Sequence, residues 1–156
     1  MSVADSNVSV ENGRLTAPFL LEYSYKRTTG PIIGDFLTGL RDGKILGGKT
    51  KRGPVICPPH ECDPLTGEDL EGLVEVGPGG VLQTYAAVSE PLASHPKQEP
   101  FAFATIQLDG ADTAITHIVM HKDLSTLRKG QRVKAVFADE RTGFITDIDH
   151  FALEDA

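Results

Sequence analysis

"QRVKAVFADE", residues 131–140, is the stretch whose reading decides the fold. Its apolar and polar side chains alternate. Val133, Ala135 and Phe137 fall on one side of an extended chain, and Arg132, Lys134 and Val136 on the other, which is the period of a strand with one face in a core. Outward from it, the same β-branched character recurs in short runs divided by turn signals. Upstream these are "LEGLVEVG" from Leu70, "GVLQTYAAVSE" from Gly80, "FAFATIQLDG" from Phe101 and "AITHIVMHK" from Ala114; downstream comes "FITDIDHFALE" from Phe144.

Five or six strands at this spacing predict a small all-β barrel over residues 70–156. Asp109-Gly110 supplies a tight hairpin, and "LRKGQRV" from Leu127 a turn into the next strand. A partly open Greek-key barrel of the oligonucleotide/oligosaccharide-binding (OB) type has this strand number and size. The fold name leaves the ligand open.

Ahead of the barrel, "PIIGDFLTGLRDG" from Pro31 carries Ile32, Ile33, Phe36, Leu37 and Leu40 at helical spacing. Pro31 suits the first turn, and Gly43 lies just past the end. Gly34 and Gly39 each weaken such a helix by about 1 kcal/mol relative to Ala, so it needs a packing partner. Residues 1–18 are polar and lack periodicity, and are read as a flexible arm. Residues 19–69 hold the helix and a knuckle, "KTKRGPVICPPHECDPLTGE" from Lys49. The knuckle has the turns of a zinc-binding ribbon and little of its sulfur. The fold class is thus mainly β: a helix and a degenerate zinc-ribbon-like knuckle, then the barrel.

The chain has 156 residues, enough for a single modest core. Its two cysteines, Cys57 and Cys62, lie in one loop, and no basic-apolar leader precedes them, which predicts reduced thiols and a cytoplasmic setting. No apolar run approaches the roughly 18 residues of a membrane span, so a soluble chain is expected. A net charge of −7 and a pI near 5.1 oppose attraction to phosphate backbones and anionic lipid. The basic residues gather between Arg41 and Arg52 and between Lys122 and Lys134, as solvated surfaces usually do.

Other chemistry is sparse. His117 and His121 fall on a predicted strand about 13 Å apart at roughly 3.3 Å per residue, too far to share one metal, and are read as surface imidazoles. "GPGG" from Gly77 lacks the following helix and the Lys-Ser/Thr pair of a nucleotide loop, and reads as a turn. There is no G-x-S-x-G elbow, and neither cysteine has a setting that argues for an activated thiolate.

Taken in order, "FLTGLRDGKILGGK" from Phe36, the Gly-x-x-x-x-Pro-Pro turn from Gly53 to Pro59, "GGVLQTYAAV", "PFAFATIQLDG" and "LRKGQRVKAVF" resemble the acyl-CoA-associated OB-fold family with an N-terminal rubredoxin-like zinc ribbon. The resemblance implies a non-catalytic partner of thiolases, thiolase-like aldolases or hydroxymethylglutaryl-CoA synthase assemblies. It also aligns the ligand positions. The family's first C-x-x-C falls on Lys49 and Arg52, and its second on Cys62 and Leu65, so at most one of four ligands stands at its place. Cys57, His60 and Cys62 offer no second cluster to complete a tetrahedron. No zinc and no other resident cofactor is expected, and packing around Pro54, Pro58, Pro59 and Pro64 is expected to hold the knuckle.

The resulting functional expectation is an accessory subunit of a hetero-oligomer with a thiolase-superfamily protein. That partner is a thiolase or a lipid-transfer-protein type aldolase of steroid side-chain degradation. Ile32, Ile33, Phe36, Leu37 and Leu40 are the interface candidates, with core packing as the equal alternative. Lys49, Arg52, Arg132 and Lys134 are candidates for contacts to acyl-CoA phosphates at a site shared with the partner. The alternative is a nucleic-acid-binding OB module, which the acidic total and the lack of Trp oppose. A free-standing hydrolase or lyase is a third class.

Overall fold

The computed structural model describes residues 9–17, 21–26 and 28–154. Strands β1 (Ser9–Glu11) and β2 (Arg14–Thr16) pair antiparallel across Asn12-Gly13, both at positive φ. Asn-Gly is the usual chemistry of such a two-residue hairpin turn. The arm expected over residues 1–18 thus contains a short hairpin, while residues 1–8 and 18 lie outside the described residues.

Helix α1 spans Pro31–Arg41, with Pro31 in the first turn as expected. The chain leaves it through Gly43 at φ 77°, a left-handed position that favours glycine. Gly39, which weakens the helix locally, has a packing reason. A Cβ there would stand 2.9 Å from Leu46 Cδ1, so the glycine lets the helix close onto the strand that follows.

That strand, β3 (Ile45–Lys49), is the centre of a three-stranded antiparallel sheet. Its neighbours are β4 (Val55–Ile56) and β5 (Gly72–Val76). The sequence reading placed "LEGLVEVG" with the barrel. Instead β5 pairs along all of β3, from Ile45↔Val76 to Lys49↔Gly72, and closes the knuckle sheet. Strand propensity marks a strand without naming its neighbour, and here the neighbour comes from upstream.

The barrel comprises β6 (Gly79–Val88), β7 (Phe101–Leu108), β8 (Ala114–Val119), β9 (Arg132–Phe137) and β10 (Ile148–Leu153). They close in the order β10-β8-β7-β6-β9. The first three strands form a meander, and the fifth lies between the third and the fourth, pairing in parallel with β8 at Phe151↔Val119. This is a mainly β, OB-type barrel, and it is closed rather than partly open. In β9, Val133 and Ala135 are buried and Arg132, Lys134 and Val136 exposed, as the alternation required.

The β7–β8 connection runs through residues 109–113, longer than the two-residue turn read from Asp109-Gly110. The extra residues join the barrel to the knuckle. Asp112 N–H donates to the Val55 carbonyl and Asp112 Oδ2 accepts from Val55 N–H, both at 2.8 Å. The Thr113 hydroxyl likewise accepts from Cys57 N–H (2.8 Å) and donates to its carbonyl (2.9 Å). One core runs through both parts: Phe36, Leu40, Ile45, Cys57 and Val76 pack in the same cluster as Leu82, Ile106, Ile115, Val133, Ile148 and Phe151. No described helix is long and apolar enough to cross a membrane.

Candidate functional site

The knuckle is cross-linked by charge. Arg52, at a position where the resembling family places a metal ligand, donates from Nε to Asp63 Oδ2 at 2.7 Å and from Nη2 to Oδ1 at 3.2 Å. Asp63 follows Cys62, so this fork joins the two loops that a zinc ion would join. The Asp63 side chain is only 2% exposed. Its Oδ1 also accepts from Leu65 N–H at 2.9 Å, an Asx turn that seats residue 65 without any metal. The expectation that packing alone holds the knuckle is therefore corrected: a two-bond ion pair adds to it.

The donor set does not suit zinc. Burial pushes the Cys57 thiol up to about 12, and its Sγ lies 3.9 Å from the Leu46 carbonyl, a contact in which the S–H donates. Lys49 Nζ pairs with Glu71 at 2.9 Å. Among the described residues, no three His, Cys, Asp or Glu side chains group so as to hold a metal. Glu61, the residue before Cys62, is engaged elsewhere: its two carboxylate oxygens accept from Ile33 N–H (2.9 Å) and Ile32 N–H (3.3 Å), placing negative charge at the start of α1.

The Arg52 hydrogen bonds, then the Leu65 amide, hold the Asp63 carboxyl below its ordinary 3.8. A carboxyl with a lowered folded pKa stabilises fully above its unfolded value and loses that contribution as the pH falls through the folded one. Asp63→Asn is accordingly expected to lower the melting temperature at pH 7 and to flatten its fall below about pH 4. Thermal melts of both proteins between pH 2 and 8 check this; parallel curves would remove the ion pair's role.

Of the remaining cations proposed from sequence, Arg132 forks onto Asp109 (both bonds 2.6 Å) and reaches Glu154 Oε2 at 3.0 Å. Lys134 is exposed on β9 with no ion pair among the described residues. Lys49 and Arg52 belong to the knuckle, and Arg132 and Lys134 share the exposed face of β9. Within the helix stripe Phe36 and Leu40 are buried in the core, while Ile32, Ile33 and Leu37 are half-buried. Sequence reasoning missed the carboxylates Glu71, Asp63, Asp109 and Glu154. Only Asp63, with Pro64-Leu65-Thr66-Gly67 after it, carried a local signal, that of an Asx turn.

A second site lies on the barrel. β10 meets β8 only near Val119, so the edge of β8 at Thr116–Ile118 faces the 3-10 turn at Ile145–Asp147 across a gap. The gap is a cavity of about 340 Å³ lined by Phe103, Thr116, His117, Ile118, Ile145, Thr146, Ile148 and Asp149, with Pro96 and Lys97 from the β6–β7 connection at its rim. His117 is not the surface imidazole expected. Its ring packs edge-on to Phe151 at 5.6 Å, and its Nδ1 is buried without a hydrogen-bond partner. Burial holds its pKa below 6.5, only partly offset by the nearby backbone of Ile145 and Ile118, so the ring is neutral at pH 7. His121 lies beyond the end of β8. The Asp149 carboxylate takes Lys97 Nζ on one oxygen and His150 Nδ1 on the other, each at 2.7 Å.

A closed OB-type barrel fused through one core to a helix and a metal-ligand-poor knuckle defines the class. Residues 73–138, from β5 to the end of β9, match the family model of the ChsH2 C-terminal OB-fold domain. Among solved structures, a DUF35-family protein of unknown function from Sulfolobus solfataricus is similar at 16% identity and TM-score 0.59, over 80% of this chain and 83% of that one. The structure described as "Ltp2-ChsH2(DUF35) aldolase" is similar at 14% identity and TM-score 0.60, over 82% of this chain and 97% of that one. Comparison with curated proteins gives no match.

Proposed function

We propose that this chain is a non-catalytic accessory subunit that binds a thiolase-superfamily enzyme, of thiolase or lipid-transfer-protein aldolase type, in acyl-CoA or steroid side-chain metabolism. The observation that carries this reading is the shared fold with a chain of the structure described as "Ltp2-ChsH2(DUF35) aldolase", 97% of which is covered, together with the family match over residues 73–138. The partner performs the carbon–carbon chemistry; this subunit supplies docking surface and stability.

The docking surface that the exposure pattern favours lies ahead of α1. Leu21, Tyr23 and Tyr25 fall at every second position of the segment and are 65%, 74% and 76% exposed. Large apolar side chains left uncovered together mark an interaction surface; the half-buried Ile32, Ile33 and Leu37 are the further candidates on α1. The acyl-CoA contacts form part of the same proposal. Lys134 meets a phosphate without first breaking an ion pair, whereas Lys49, Arg52 and Arg132 must release carboxylates to do so.

Co-expression with the thiolase-superfamily aldolase of the same host, followed by size-exclusion chromatography with light scattering, tests the reading. A single hetero-oligomer is expected. Replacing Leu21, Tyr23 and Tyr25 together by Ser is expected to weaken it by at least about tenfold, the loss of roughly 1.4 kcal/mol of contact. Separate elution of the wild-type chains would overturn the accessory role.

A further inference from the structure

We propose that the cavity between the edge of β8 and the 145–149 segment is a binding site for a neutral, largely apolar small molecule that carries a hydroxyl group. The inference stands on the isolated chain and does not depend on the accessory role. OB barrels bind ligands on the face of their second and third strands, between the loops joining the first to the second strand and the fourth to the fifth. Phe103 of β7, Thr116 and Ile118 of β8, Pro96 and Lys97 of the β6–β7 loop and Ile145 of the β9–β10 connection are those elements here.

The lining selects the chemistry. Phe103 and Ile145, 39% and 42% exposed, stand with Ile118 and Ile148 as apolar wall. A volume of about 340 Å³ lies within the ordinary range of small-molecule sites, roughly 300–1,000 Å³. The charges at the rim cancel. Lys97 is bonded to Asp149, and His117 is neutral, so the cavity offers no net positive charge to an anion and no free carboxylate to a cation. An anionic ligand would also enter against a net charge of −7. The polar demand comes from His117, which lines the cavity and whose Nδ1 is buried without a hydrogen-bond partner. Neutral imidazole presents one donor and one acceptor. A hydroxyl serves whichever nitrogen faces it, being donor and acceptor at once.

A single-stranded nucleic acid, the usual occupant of this face in other OB barrels, needs cations along its backbone and aromatics under its bases. The cavity has one aromatic wall, Phe103, besides His117, and its cation is already paired.

The test uses the full chain and three probes of one shape: 2-naphthol, naphthalene and 2-naphthoate. Backbone and imidazole ¹⁵N shifts are followed by NMR during titration. Saturable binding of 2-naphthol is expected, with shifts at Thr116, His117, Ile145 and Asp149, at least about tenfold tighter than naphthalene, with 2-naphthoate weaker than 2-naphthol. His117→Phe keeps an aromatic wall and removes the hydrogen bond, so 2-naphthol and naphthalene are expected to bind it equally. No saturable shift at these residues below about 1 mM 2-naphthol would overturn the site. Equal affinity of 2-naphthol and naphthalene for the wild type, or a preference for 2-naphthoate, would overturn the ligand class.

Discussion

Phe36→Ala is expected to lower the folding stability of the isolated chain by about 3–5 kcal/mol, the cost of emptying a buried aromatic site. Phe36 is 4% exposed and packs in the cluster that joins α1 to the knuckle sheet and the barrel. For a chain of this size such a loss shifts the melting temperature on the order of 10 °C. Denaturant unfolding of the purified variant measures it. If the side chain instead served a partner, the isolated chain would lose less than about 1 kcal/mol and only the complex would weaken. Sequence reasoning held core and interface equal for this stripe, and the burial of Phe36 and Leu40 decides for core at those two positions.

Phe151→Ala is the second large effect, again about 3–5 kcal/mol. Phe151 is fully buried, and its backbone makes the parallel β10–β8 pairing with Val119 that closes the barrel. Its ring also walls His117, so truncation opens that imidazole to water and lets its pKa climb back toward 6.5. The sign of the native linkage follows from the lowered value. Neutral, buried His117 stabilises fully above pH 6.5, and its contribution is lost as the pH falls through the folded pKa. NMR titration of His117 in the two proteins reads the shift, and an unchanged pKa would contradict the walling role.

The knuckle shows where local reading reaches its limit. The scarcity of zinc ligands around Cys57 and Cys62 is visible, because residue type alone decides what can bind zinc. What cross-links the knuckle is not visible. Arg52 and Asp63 are eleven residues apart, and only the folded turns bring them to 2.7 Å. The same holds for Arg132, which looks like an exposed cation on an alternating strand until Asp109 and Glu154 arrive from other strand ends. A cation's availability depends on its neighbours, and side-chain identity carries no record of them.

From the sequence by itself came the mainly β class, the helix from Pro31, the alternation of β9 and the strand runs of the barrel. Each depends on periodicity or turn chemistry within a dozen residues. The tertiary structure alone decided the rest. It moved β5 from the barrel to the knuckle sheet, closed the barrel through one parallel pair, lengthened the β7–β8 connection to grip Val55 and Cys57, and turned His117 from a surface residue into a cavity wall. The physical reason is common to all four. Strand pairing, ion pairing and burial are relations between distant segments, settled by which edges and faces meet when one core forms.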